Sequence, residues 1–317
     1  MRPIARIVAL VSSAVVVSAT LVGCAPASAC TPTIAAGSAS LVSAPGALGT
    51  KPTVDFPGKL VSNDPSVATL SAGTGAVVHN GDYVDFNAVV VTGKDKSELT
   101  STSYDAGKTE RLHVKVGTNV LAESFLCQTV GSRFALAGTV EQIFGAVNGN
   151  ALTPKDTVVV VFDVVNAYRG QSSGIPQIAQ DGMPAVTSDP IGRPGIAMPK
   201  AAAPADLHIE TLTKGDGAVV AEGQTVVAHY SAFVWGGNTF DNTWDKDHPA
   251  NLVAQDFTQN NGVGVIPGFA KALIGQTVGS RVVAVIPPKD GYPTDQWPSA
   301  IPAGATLVFV IDILGIQ

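Results

Sequence analysis

Between Gly264 and Val310 the apolar positions change period. Pro267 suits the first turn of a helix, because its ring already fixes a helical φ and its missing N–H would have no partner there. Phe269 and Leu273 then fall on one face. Gly275 stops the helix after about two turns, and Val282, Ala284 and Ile286 resume with the period of two that marks a half-buried strand. A proline-rich loop carrying Tyr292, Trp297 and Ile301 follows, and then a dense apolar strand over 306–314. The helix must lie against a sheet, with its apolar start facing aromatic loop residues.

The same alternation occurs twice. TLSAGTGAVVHNGDYV begins at Thr69 and TLTKGDGAVVAEGQTV at Thr211, ungapped, at an offset of 211 − 69 = 142 residues. TVGSR stands at 129–133 and again at 277–281, and Thr-x5-Asp closes each half, at Thr157/Asp163 and Thr306/Asp312. Three landmarks in one order predict a tandem duplication of a unit of about 100–110 residues. Each copy reads as a strand near Leu70 or its counterpart, a strand at Val84–Val91 or Val226–Val234, a variable loop, the short helix, a strand after TVGSR and a last strand. That is an α+β arrangement, an antiparallel sheet with one short helix on its face. The expected boundaries are a targeting segment at 1–23, a flexible tether at 24–52, a first domain at 53–168, a linker at 169–204 and a second domain at 205–317. The tether is Ala/Ser/Gly/Pro-rich without periodicity, so no fold is expected in it; the linker is rich in Gly, Pro and Ala with short extended pieces such as Pro184 to Thr187.

Composition narrows the function. The chain has 317 residues, 45% of them hydrophobic and 14% charged, with a net charge of −6 and no run of Lys or Arg. That length suits two domains, and the missing basic stripe argues against nucleic acid. Arg2 and Arg6 precede an apolar run from Ile7 to Val22, as in an export signal. Leu21-Val22-Gly23-Cys24 resembles a bacterial lipobox, which implies lipidation of Cys24 and a membrane-anchored protein on the extracytoplasmic face; the alternative is a plain secretory signal cleaved after Ala27-Ser28-Ala29. Of three cysteines, lipidation of Cys24 would leave Cys30 and Cys127 in an oxidising compartment, where a disulfide between them is expected. Two unrelated thiols are the alternative.

Little supports hydrolytic or metal chemistry. His79, His113, His208, His229 and His248 are scattered without metal-ligand spacing, and no nucleophile elbow or phosphate loop occurs, so neither metal nor cofactor is expected. The second unit instead gathers Tyr230, Phe233, Trp235, Phe240, Trp244, Phe269, Tyr292, Trp297 and Phe309. Core packing accounts for those on strands; Tyr292 and Trp297, in a loop, suit a pocket wall.

In order, His229-Tyr230, Phe240-Asp241, Val265-Ile266-Pro267-Gly268-Phe269, Leu273-Ile274-Gly275, Val278-Gly279, Ile286-Pro287-Pro288, Gly291-Tyr292, Ile301-Pro302 and Ala305 to Phe309 resemble the FKBP-type peptidyl-prolyl isomerases. With the lipobox and the duplication, the whole chain is similar to the actinobacterial FKBP-type lipoproteins. The resemblance implies two tandem FKBP-like domains, each an antiparallel half-barrel sheet wrapped on one short helix. It also implies prolyl isomerisation that assists the folding of exported proteins, on proline-containing polypeptide clients, and a macrolide ligand in the second pocket. By resemblance the catalytic residues are Tyr230, Phe240, Asp241, Ile266, Phe269 and Tyr292, and Val265, Trp297, Ile301 and Phe309 bind substrate. The Ile266 N–H and the Tyr292 hydroxyl would bond substrate carbonyls, and Asp241 would hold Tyr230.

Departures from the family pattern follow. Phe269 stands where Trp is frequent, Ala250 where an aromatic is usual, and Pro293 where Gly follows the loop Tyr. In the first unit Ala88 replaces Tyr230, Leu121 replaces Phe269, Thr118 replaces Ile266 and Phe144 replaces Tyr292, while Ser97 to Thr100 offers no Phe-Asp pair. A first domain without isomerase activity is expected. The rival reading is a chaperone-like or scaffold lipoprotein that binds through the same cleft with little turnover; an intact Tyr292 and Asp241 favour the enzyme and Ala250 the binder.

Overall fold

The first sheet is built from β1 (Ser66–Ser71), β2 (Tyr83–Thr92), β3 (Glu98–Ser101), β4 (Glu110–His113), β5 (Arg133–Thr139) and β6 (Thr157–Tyr168), with short helices α1 (Val120–Glu123) and α2 (Val140–Phe144). Its strands run antiparallel in the order β1-β5-β6-β2-β3, with β4 also on β2. The second sheet comprises β7 (Ile175–Pro176), β10 (His208–Lys214), β11 (Thr225–Val234), β12 (Thr239–Asn242), β13 (Ala250–Val253), β14 (Arg281–Ile286) and β15 (Leu307–Ile316), with helix α3 (Pro267–Leu273). Its order, β12-β11-β15-β14-β10-β7 with β13 on β11, repeats the first sheet and adds β7 at the edge. A separate hairpin, β8 (Ala185–Ser188) with β9 (Pro194–Ala197), lies between the two. This computed structural model describes residues 30–146, 152–293 and 296–317, so the targeting segment and Cys24 lie outside the described residues.

Helix α3 behaves as its sequence predicts: Pro267 occupies its first turn, and it ends at Leu273 with Gly275 at φ +83° just beyond. It approaches β14 closely at Gly268, where a Cβ would stand 2.5 Å from Ile286 Cγ2. Only glycine permits that contact. The first unit holds a second short helix the sequence reading missed. Thr139 caps α2 from below while the Gln142 side chain accepts the Thr139 N–H, a capping box. The second unit carries Pro287 and Pro288 there and makes only a 3₁₀ turn, Pro288–Asp290.

The flexible-tether reading of 24–52 is corrected for residues 30–52, and that of an interdomain linker at 169–204 likewise. Ala39, Val42, Ala44, Val54, Phe56 and Leu60 are buried against Val89, Val91, Ala135, Ala137, Val159 and Val161, on the sheet face away from α1. In the second unit Met183, Val186, Ile196 and Met198 cover Phe233, Val283, Val285, Val308 and Val310 in the same way. Each sheet therefore presents two apolar faces, one to its helix and one to a strap of chain preceding it. A strap is aperiodic because it needs only a few apolar side chains plus partners for its backbone.

Those partners are the conserved ends of the repeat landmarks within this chain. Arg133, last residue of the first TVGSR, sits opposite Asp163 in register and donates to it through Nε (2.5 Å) and Nη2 (2.7 Å). Its remaining N–H groups donate to the carbonyls of Ala44, Gly46, Ala47 and Thr50. Arg281 repeats the device: it donates to Asp312 at 2.5 and 2.7 Å, to Gly192 O at 2.7 Å, and to Ser188 Oγ. A planar guanidinium with five donors suits one carboxylate and several carbonyls at once. The duplicated unit thus contains strap and sheet together, longer than the repeat landmarks alone delimit.

Cys30 and Cys127 form the expected disulfide, with Cα atoms 5.5 Å apart. It staples the start of the first strap to the turn after α1.

Candidate functional site

Tyr230 on β11, Phe240 and Asp241 on β12, Val265 and Ile266 before α3, Phe269 on α3, Tyr292 in the following loop and Phe309 on β15 line one cavity of about 280 Å³. All eight come from the set read in the sequence. Strand alternation and register explain the convergence: Tyr230 pairs with Ile311, Ala232 pairs with Phe309, and both aromatic side chains face α3. Phe269 and Phe309 form the floor, 4.8 Å between centroids at 73°, each under one-tenth exposed. Tyr230 stands edge-on to Phe269 at 5.9 Å and Phe240 edge-on to Phe309 at 5.9 Å. These edge-to-face pairs fix ring orientation beyond simple burial.

Two predicted residues are placed elsewhere. Trp297 and Ile301 are not among the residues lining the cavity: Ile301 is buried in the core, and the Trp297 ring packs 5.8 Å from that of Tyr292. Trp297 thus packs against the cavity's Tyr292. Conversely, Leu252 on β13 and Phe257 line the cavity and were not foreseen. Phe257 donates its N–H to Val265 O (3.0 Å), which folds the 255–264 loop against the pocket. A lone phenylalanine in a run of Asp, Gln, Asn and Gly was the available signal. With Phe257 and Leu252 there, the wall that Ala250 leaves thin is closed. Of the other clustered aromatics, Phe233 and Trp235 lie under the second strap, and Trp244 stacks on His229 at 4.1 Å.

The polar side of the cavity is ordered. The Tyr230 hydroxyl donates to Asp241 Oδ2 at 2.5 Å, and Lys246 Nζ donates to Asp241 Oδ1 at 2.9 Å. Burial works against ionisation of Asp241, but these two donors outweigh it and hold its carboxyl below the usual carboxylate range. Burial, and then the Asp241 carboxylate, push the Tyr230 hydroxyl far above its ordinary value. Burial and Asp241 also raise Tyr292. At neutral pH the site therefore presents one anchored carboxylate and two neutral phenols. Among the described residues, neither the Tyr292 hydroxyl nor the Ile266 N–H has a hydrogen-bond acceptor. Both line the cavity and, among the described residues, remain available to donate to a ligand in it.

At the matching position the first unit has a cavity of about 410 Å³ with a different lining: Leu112, Thr118 and Leu121 stand for Leu252, Ile266 and Phe269, beside Arg111, Lys115 and the second unit's Asp247, because its aromatics sit one layer deeper. Phe86, Phe125, Phe134 and Phe162 pack ring against ring, with centroids 4.8–5.4 Å apart. By sheet register Phe86 corresponds to Ala228, Phe134 to Val282 and Phe162 to Ile311. The rim positions of Tyr230 and Phe309 are taken by Ala88 and Val160. Phe144, at the expected place of Tyr292, is exposed at the end of α2.

Comparison with known proteins agrees with this geometry. The profile of the FKBP-type peptidyl-prolyl cis-trans isomerase family matches residues 217–314, which contain every cavity residue. The FK506-binding protein of Streptomyces anulatus is 32% identical over 128 residues, covering 40% of this chain and 98% of that protein. Peptidyl-prolyl cis-trans isomerase FKBP1A of Xenopus laevis is 30% identical over 112 residues, covering 35% and 98%. Among solved structures, the three FKBP domains of wheat FKBP73 align over 80% of this chain and 94% of that one, at 15% identity and a TM-score of 0.34. The chain belongs to the FKBP-type peptidyl-prolyl cis-trans isomerase family.

Proposed function

We propose that the second unit catalyses cis-trans isomerisation of Xaa-Pro bonds in exported polypeptides, at the outer face of the cytoplasmic membrane. The observation that carries the catalytic part is the cavity itself: an aromatic floor of Phe269 and Phe309, lined also by two donors without an acceptor among the described residues, Tyr292 O–H and Ile266 N–H. Rotation about a prolyl bond is slow because the planar amide is resonance-stabilised, with a barrier of roughly 18–20 kcal/mol. No bond is broken, so neither nucleophile nor metal is needed. A proline ring seated on the phenyl floor leaves water, where the planar, more polar amide loses more solvation than the twisted one. The two donors orient the flanking carbonyls, and the Tyr230–Asp241 hydrogen bond keeps the wall in place. Relatives that are named for binding FK506 support a macrolide ligand in this pocket. The first unit, its rings closed into a core, is proposed to lack turnover.

The location rests on two features. Leu21 to Cys24 has the pattern of a lipidation site, and the Cys30–Cys127 bridge suits an oxidising compartment. Cys24→Ser is expected to shift the protein out of the membrane fraction and abolish lipid labelling; unchanged labelling contradicts the anchor. For catalysis the test is a protease-coupled assay on a Xaa-Pro peptide with the full chain. Tyr292→Phe removes one hydrogen bond of about 1–2 kcal/mol and should lower kcat/KM about 5–30-fold. An unchanged rate would remove Tyr292 from the mechanism.

A further inference from the structure

The two units meet beside the site. Tyr83, at the start of β2 and almost fully buried, reaches His229 on β11: its hydroxyl lies 3.1 Å from Nε2. The other ring nitrogen, Nδ1, lies 2.7 Å from Thr243 Oγ1, which also accepts the Tyr230 N–H at 2.9 Å. Burial drives the His229 imidazole down to about 3, so it is neutral. With its proton on Nε2 every group is satisfied: Thr243 donates to Nδ1, Nε2 donates to Tyr83, and Tyr83 donates to Asp247 Oδ1 at 3.4 Å. Trp244 stacks on one side of His229, and His113 stacks on Tyr83 at 4.2 Å.

Asp247 is the second tie. It belongs to the second unit, yet its carboxylate receives Lys115 Nζ at 2.5 Å and His113 Nδ1 at 2.7 Å, both from the first. Its backbone is held at φ +49°, a conformation a non-glycine residue keeps only when its surroundings impose it. Between the ties runs the turn that carries the site's polar group. Asp241 begins it, Thr243 anchors the Tyr230 backbone, and Lys246, next to Asp247, holds Asp241 Oδ1. Further contacts close the junction: Arg111 Nη1 donates to Asn251 Oδ1 at 2.8 Å, Gln317 Nε2 donates to Asp85 Oδ2 at 3.1 Å, and Tyr168 covers Gly315 so closely that a Cβ there would stand 2.3 Å from the ring.

We propose that the first unit is a positioning element for the second unit's site: Tyr83, His113 and Lys115 fix the 241–247 turn, through His229–Thr243 and through Asp247, and so hold Asp241 on Tyr230. The first unit then needs no catalytic pocket of its own, and its aromatic core serves to make a rigid platform. The proposal rests on the isomerase reading of the site, and its test separates the two.

In the full chain, Tyr83→Phe combined with His113→Phe and Lys115→Met removes the polar contacts of both ties with little change of volume. Hydrogen exchange followed by mass spectrometry should show protection of segment 240–248 falling about tenfold while β14 and β15 keep theirs. In the peptide assay the same variant should lose about three- to tenfold in kcat with KM within about twofold, because positioning rather than seating of the proline is lost. Lys115→Arg, which keeps the cation on Asp247, should restore both readouts relative to Lys115→Met. Unchanged protection overturns the proposal, and so does lost protection with an unchanged kcat. If the unsubstituted chain shows no turnover, the isomerase reading fails instead, and the exchange result alone decides whether the first unit holds the turn.

Discussion

Replacing both Cys30 and Cys127 by serine is expected to lower the unfolding free energy of the first unit by up to about 4.7 kcal/mol, the loop-entropy value for a bridge of this span. The bridge closes 97 residues, and in the open chain it joins the strap's first residue to the far side of the sheet. Without it the strap is held by the apolar contacts of Val42, Ala44, Val54 and Phe56 and by the carbonyl bonds to Arg133. Those contacts survive in the serine variant, so the native fold should persist with a lower urea midpoint and a steeper slope, since the unfolded chain without its cross-link is less compact. The same shift should follow reduction of the unsubstituted protein. A loss below about 1 kcal/mol would contradict this figure and mean that residual structure already restricts the unfolded chain without the bridge.

Asp163→Ala is expected to cost about 3–5 kcal/mol, because it leaves the Arg133 guanidinium buried without its counter-charge. Arg133 and Asp163 are only 2% and 1% exposed. The loss is not confined to the pair. Asp163 Oδ2 also accepts the Gly49 N–H at 3.1 Å, and Arg133 holds four strap carbonyls, so the strap between Ala44 and Thr50 should loosen. Limited proteolysis is expected to cut there in the variant and not in the parent. Asp312→Ala should act the same way on the second strap, where Ser172 N–H donates to Asp312 at 2.9 Å. Replacing both members of a pair by apolar residues should not be neutral here, as the strap carbonyls would remain without donors. A cost near zero for Asp163→Ala would show that the pair contributes no net stability.

How much of this was legible in the sequence depended on where the information lies. Period-two alternation located β14, a dense apolar run located β15, the duplication placed β2 and β11 at matching positions, and Pro267 with Gly275 located α3, since side-chain pattern and φ preference decide such elements. The repeats of TVGSR and of the closing Asp marked Arg133, Arg281, Asp163 and Asp312 as landmarks but not as buried pairs. Their other partners are backbone carbonyls, which carry no sequence signature, and for that reason both straps read as free chain. The eight cavity residues were legible through order and spacing. Phe257 and Leu252 were not, because the loop that turns Phe257 inward is fixed by its backbone bonds with Val265 and Gln255. Ile301 was read as a pocket residue by resemblance and Trp297 also from its place in a loop, whereas Ile301 is buried in the core beneath and Trp297 packs against it. The contact of Tyr83 with His229 spans 146 residues and leaves no local trace.

The central claim is that turnover belongs to the aromatic cavity of the second unit and not to the first. The direct measurement is isomerisation of a Xaa-Pro peptide by the full chain carrying either Phe269→Ala or Phe144→Ala. Phe269→Ala removes a ring from the cavity floor and should abolish most of the rate, by on the order of a hundredfold if about 3 kcal/mol of seating energy is lost. Phe144→Ala, at the first unit's counterpart of Tyr292, should leave the rate as it was. Loss of turnover with Phe144→Ala and its retention with Phe269→Ala would contradict the account.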